Sequence, residues 1–178
     1  MQWIIHYDIV AFALILVILI VYSTFNHLNT FSNRVYKKLL TVSLLSVVTD
    51  ILSAITSSFC TKDEILINYI VNLAHFAVQN LVPCLYCLFA YSLVYETGKI
   101  KGKWFAIIFL PYIFDLILIL STPFTDACFF IDENGVYQRG QGQFFTYTIA
   151  IYYIILSCGI VIRNNKVLGV PQRICVFL

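Results

Sequence analysis

Two carboxylates, Asp50 and Asp115, stand inside otherwise uncharged stretches of the chain. A charge at membrane depth costs about 2.5–3.5 kcal/mol or more, so such residues face the interior of a helix bundle and mark a contact or a site. Ser43, Ser46, Asp50, Ser53 and Ser57 recur at spacings of three and four, which places all five on one stripe of a helix. Asn68, Asn72, His75 and Gln79 repeat in the same way, with Asn80 beside them. Small hydroxyl residues suit a close helix–helix seam, and amides and an imidazole hydrogen-bond across one. Two readings stand at this point. One is an interhelical hydrogen-bond seam, whose bonds average about 0.6 kcal/mol, with Asp50 or Asp115 protonated or paired. The other is a polar pocket or signal-transmitting seam, extending to a proton or ion path because paired carboxylates and a His can exchange protons. Asp50, Asn72, His75, Gln79 and Asp115 are the candidates for this polar centre.

The remaining reactive residues carry less. Cys84 and Cys87 form a C-x-x-C, but without a second pair or a His at zinc spacing they read as packing in an apolar helix, and no metal or cofactor is expected. Cys60 and Cys128 fall on one side of the chain's topology, where a disulfide is chemically permitted; Cys158 and Cys175 read as apolar filler. The chain has no Gly-rich phosphate loop, nucleophile elbow, H-E-x-x-H or kinase signature, and it is read as non-catalytic. Between the fourth and fifth apolar runs, residues 129–140 read F-F-I-D-E-N-G-V-Y-Q-R-G. Asn134-Gly135 signals a type I′ turn, since both central residues of that turn need positive φ. The β-prone flanks Phe129–Ile131 and Val136–Gln138 then predict a two-stranded hairpin docked on the helix ends, with a bare connector as the alternative. Asp132, Asn134, Gly135, Tyr137 and Arg139 are its candidate functional residues.

The elements that must hold these residues follow from composition. Of 178 residues, 61% are hydrophobic and 11% charged, against roughly 45–50% and about 25% in a soluble domain. Twenty charged residues, 11 basic and 9 acidic, cannot coat a soluble globule of this length. Soluble enzyme and disordered tail are disfavoured, and a net charge of +2 with no basic, aromatic-interleaved stripe argues against a nucleic-acid partner. Uncharged runs at about 9–25, 39–59, 65–95, 104–121 and 144–162 predict an all-α, polytopic transmembrane bundle of five helices whose partner is the lipid bilayer. The third run is long enough to tilt, kink near Pro83 or project from the bilayer. The apolar stretch beginning at about residue 172 reads as the start of a truncated sixth helix, or as an amphipathic tail on the membrane surface.

Lysine and arginine set the orientation, because short cytoplasmic loops carry the positive excess. Arg34, Lys37, Lys38, Lys99, Lys101, Lys103, Arg163, Lys166 and Arg173 fall on one side and only Lys62 and Arg139 on the other. Nine against two places the N-terminus outside and the end of the fifth helix in the cytoplasm, in a multi-pass plasma-membrane protein. The first helix has no basic segment before it and no small-residue cleavage pattern after it, so it reads as a retained anchor. Asp50 lies twelve residues past Lys38 and Asp115 twelve past Lys103, about 18 Å along each helix, which predicts a similar depth for both.

Four segments together resemble a bacterial input module: the opening W-x-x-x-Y-D-I-V, Asp50 in a serine-lined helix leading to L-S-A, Q-N-L-V-P at Gln79–Pro83, and the F-x-I-D-E-N-G-V-Y-x-R-G hairpin. The chain resembles, over essentially its whole length, the N-terminal multi-helix membrane region of Firmicutes diguanylate cyclases of the GGDEF type, often joined to EAL domains. A more distant likeness is to the seven-helix input region of sensor histidine kinases. The resemblance implies a sensory region that responds to an extracytoplasmic or membrane cue, with an unknown ligand, a cytoplasmic output domain, and a homodimer because such cyclases work in pairs. The output domain and two final helices of that pattern are missing. A small transporter or channel component and a non-functional truncated product are the alternatives.

Overall fold

The computed structural model describes residues 5–24, 29–59, 64–95, 100–132 and 136–164. It is an all-α bundle of five long apolar helices: α1 (Ile5–Thr24), α2 (Phe31–Phe59), α3 (Ile65–Val94), α4 (Gly102–Thr125) and α5 (Gln143–Arg163). Two short strands, β1 (Phe129–Ile131) and β2 (Tyr137–Arg139), connect α4 to α5. Each helix has at least 19 consecutive residues long and apolar enough to insert into a membrane.

The helices outrun the uncharged segments that announce them. α2 begins at Phe31 rather than near residue 39, because charge limits membrane depth and not helix formation. Thr30 caps it: its hydroxyl accepts the Asn33 N–H at 3.3 Å, satisfying one free donor of the first turn. Arg34, Lys37 and Lys38 therefore ride on the first turns of a continuous helix. α4 extends through Pro123 to Asp126, whose left-handed backbone (φ 53°) ends it while its N–H bonds to the Thr122 carbonyl at 2.9 Å. α3 runs as one helix through Pro83. In α4, Pro111 has no N–H to offer the Ile107 carbonyl four residues back, and the Tyr152 hydroxyl donates to that oxygen at 3.1 Å instead.

Central place belongs to α3, with 56% of its most apolar window buried against 0% for α1. It packs on α2, α4 and α5, while α1 packs chiefly on α2. Across the α2–α3 seam the partners Asp50–His75, Ser53–Asn72 and Ser57–Asn68 step in opposite directions, so the two helices are antiparallel. The main core lies toward the basic ends of the helices, where Cys84, Cys87, Ala90 and Tyr91 of α3 meet Ile108 of α4 and Tyr153 of α5. Cys84 and Cys87 are buried there, the Cys84 thiol 3.5 Å from the Ile108 carbonyl.

A smaller cluster, Phe76, Ile119, Cys128 and Phe129, anchors the hairpin at the opposite end. β1 and β2 pair antiparallel, Phe129 with Arg139, Phe130 with Gln138 and Ile131 with Tyr137. Continuing that register, Asp132 donates its N–H to the Val136 carbonyl at 3.0 Å and its carboxylate accepts the Val136 N–H at 2.9 Å. Asn134 and Gly135 lie outside the described residues, as do Cys60, for which a disulfide to Cys128 is chemically permitted, and the stretch from 165 that contains the expected sixth helix.

Candidate functional site

The hairpin is seated by shape and by hydrogen bonds. Phe129 is fully buried and its ring lies 5.6 Å from Phe76, 5.4 Å from Tyr69 and 5.5 Å from Tyr137, centroid to centroid. The Tyr69 hydroxyl of α3 accepts the Ile131 N–H at 3.3 Å. At the base, Gly140 and Gly142 donate to the carbonyls of Cys128 and Ala127 at 2.9 and 2.7 Å. A Cβ on either glycine runs into the Ala127 carbonyl, so backbone approaches backbone here with no room for a side chain.

This seat holds Tyr137 and Arg139 over the open end of the α2–α3 seam and creates a cavity of about 620 Å³. Its walls carry Asp50, Ser53 and Ser57 from α2, Asn72, His75 and Gln79 from α3, and Gln143 and Tyr147 from α5. Four of the five residues assigned to the polar centre therefore line one space together with two of the hairpin candidates. Asp132 does not line it and closes the hairpin tip. A second cavity of about 340 Å³ shares Phe76, Gln79 and Tyr147 with the first and continues to Ser46, Asn80 and Pro83.

Along the seam the stripes interlock. The Ser53 hydroxyl donates to Asn72 Oδ1 at 2.7 Å, and Asn72 Nδ2 donates to Asn68 Oδ1 at 2.6 Å and to the Asn68 carbonyl at 2.8 Å. Ser57 joins them at 3.4–3.5 Å. Asp50 and His75 are held less firmly: His75 Nε2 stands 3.6 Å from Asp50 Oδ1, beyond hydrogen-bonding distance, so their attraction is electrostatic and present when the imidazole is protonated. His75 Nδ1 has no hydrogen-bond partner among the described residues. Asp8 of α1 lies within electrostatic range of both.

Tyr137 is the group whose protonation the surroundings fix most plainly. Burial pushes its phenol up to about 12, against the opposing effects of Gln143 and Arg139. Gln143 Nε2 donates to the phenol oxygen at 2.8 Å, which leaves the phenol proton as a donor at the cavity wall. The cavity thus presents a carboxylate, an imidazole, a guanidinium, amides and neutral hydroxyls, a set suited to holding a small polar molecule by complementary charge and hydrogen bonds.

Asp115 belongs to neither cavity wall. It is fully buried, and neither carboxylate oxygen makes a hydrogen bond among the described residues, although Asn80 is its close polar neighbour. Equal spacing from a basic residue thus placed the two acids in different surroundings. The α5 contribution, Gln143 and Tyr147, was absent from the sequence candidates; its signal is the spacing of four between them at the start of an apolar run. Asp8 likewise had a signal, as the acid at the mouth of the first apolar run.

Among the described residues, no three His, Cys, Asp or Glu side chains gather into a metal site. No family model, curated protein or solved structure matches the chain.

Proposed function

We propose that the chain is the membrane-embedded sensory input region of a bacterial signal-transduction protein, binding a small polar ligand in the cavity beneath the hairpin. The observation that carries this reading is the shared cavity, in which hairpin residues Tyr137 and Arg139 and seam residues Asp50, Asn72, His75 and Gln79 face one space. A ligand touching both bears directly on how α2 packs against α3, and it shifts that packing to the extent that it binds the two arrangements differently. The loose Asp50–His75 contact is the element best suited to change.

In this reading the helices cross the plasma membrane five times, with hairpin and N-terminus outside and the basic connections in the cytoplasm, as the nine-to-two division of Lys and Arg supports. The output is of the diguanylate cyclase type, carried in a homodimer because such domains act in pairs; the motif resemblance supports this part. The test is to join the chain in frame to a diguanylate cyclase domain and follow cyclic di-GMP in cells given extracts of small polar metabolites. Response by the parent, with Asp50→Asn and Arg139→Gln inserting normally but failing to respond, is the expected outcome. Unchanged response in both variants overturns the role of the cavity.

Transport is the second reading, favoured by the second cavity, which shares Gln79 with the first and is lined further on by Asn80. Uptake of the bound molecule into sealed vesicles containing the chain distinguishes it from sensing.

A further inference from the structure

At the end of the bundle away from the hairpin, a groove of about 540 Å³ lies along the α2–α3 seam. Arg34, Lys37, Lys38 and Thr41 follow one another at helix-face spacings on α2, and Val42 continues the line; Leu81 and Leu85, four apart on α3, form the opposite wall. The three basic residues point outward from the bundle, and no carboxylate pairs with any of them among the described residues. By sequence, the acid nearest this end of the helices is Glu96, which lies outside the described residues.

The groove therefore has a cationic rim and an apolar floor, on a chain whose helices are apolar enough to sit in lipid. From Arg34 to Val42 it spans nine residues, about 12 Å of helix, shorter than one leaflet of the roughly 30 Å hydrocarbon core. A water-soluble anion satisfies the rim and leaves the floor uncovered. A zwitterionic lipid covers the floor but brings its own cation against three others. We infer that the groove binds one anionic phospholipid, its phosphate among Arg34, Lys37 and Lys38 and one acyl chain along Val42, Leu81 and Leu85. The site is separate from the hairpin cavity and does not depend on the sensory reading.

The experiment uses the whole chain in nanodiscs of phosphatidylcholine alone or mixed with phosphatidylglycerol, with retained lipid read by native mass spectrometry. One phosphatidylglycerol is expected to be retained in preference to phosphatidylcholine by about tenfold or more, as three nearby cations allow. The double variant Lys37→Gln, Lys38→Gln removes the rim, and Leu81→Trp fills the floor. Each is expected to erase most of that preference while thermal unfolding in phosphatidylcholine stays as in the parent. Equal retention of the two lipids, or a preference that survives both variants, overturns the proposal. So does displacement of the lipid by glycerol 3-phosphate at equal concentration, which assigns the rim to a free phosphate.

Discussion

From Cys84 to Val94, α3 is sealed among apolar side chains of α2, α4 and α5, whereas from Asn68 to Asn80 the same helix turns amides and an imidazole toward α2 and a cavity. Polar groups occur in the sealed half as well, but each is used up locally: Tyr153 donates to the Ile108 carbonyl at 2.6 Å and Ser92 to the Phe89 carbonyl at 2.7 Å. In the hairpin half, Asn68 Nδ2, His75 Nδ1 and Asn80 Nδ2 lack hydrogen-bond partners among the described residues. One helix thus joins a half that specifies a single packing to a half with polar capacity left over. Local opening and rearrangement concentrate where apolar burial is thinnest, so the hairpin half is expected to open before the sealed half.

The sharpest way to break this contrast is to cut into the sealed half. Tyr153→Ala leaves a cavity among fully buried neighbours and removes one of the hydrogen bonds to the Ile108 carbonyl, with an expected loss of about 3–5 kcal/mol. Unfolding by titration of denaturing detergent in mixed micelles measures it. A loss below that of any substitution in the polar seam contradicts the division of labour.

Next in size is the hairpin seat. Gly140→Ala drives a methyl into the Ala127 carbonyl, and since backbone cannot yield as a flexible side chain does, about 1–3 kcal/mol is expected. Its signature is local: hydrogen exchange of residues 129–139 accelerates while α3 beyond Cys84 keeps its protection. Uniform acceleration along the chain shows instead that the two halves unfold as one.

How far the sequence discloses this arrangement depends on what each residue's environment requires. The helices were legible because a run of about twenty apolar residues admits few other structures in lipid. The Ser and Asn lines were legible because spacings of three and four put side chains on one helix face, and they do meet. The start of α2 at Phe31 was hidden, since charge marks where the apolar layer ends and the helix continues past it on a Thr30 cap. Asp115 was grouped with Asp50 by axial distance, but rotation about α4 turns it into a sealed position apart from both cavities. Gln143 and Tyr147 join the cavity through the parallel packing of α5 on α3, a pairing that no local pattern encodes.

Within the polar seam, Asn72→Ala removes the residue that links Ser53 to Asn68, and the expected loss is about 1–2 kcal/mol, near the upper limit for such bonds in membranes. Ser53→Ala alone costs about 0.6 kcal/mol. Because they share one bond, the double variant is expected to fall short of the summed losses by about 0.5 kcal/mol or more. Strict additivity in that cycle places the stabilisation elsewhere and makes the seam a passive surface.

The smallest effect has the opposite sign and lies at the joint between α4 and the hairpin. Asp126 is the one non-glycine residue with positive φ among those described, at 53°, where a Cβ crowds the backbone. Its N–H still closes the last turn of α4 on the Thr122 carbonyl, so the conformation is needed to turn the chain toward Ala127 and β1. Glycine adopts it without the steric cost, and the same bond remains available. Asp126→Gly is therefore expected to stabilise by a few tenths of a kcal/mol, the gain being limited because aspartate tolerates this region better than most residues and glycine frees the unfolded chain. A rise in the unfolding midpoint, with hairpin protection unchanged, shows that the joint carries strain that the fold can lose. A fall of about 1 kcal/mol shows instead that the Asp126 carboxylate makes its own contribution to the joint between α4 and the hairpin.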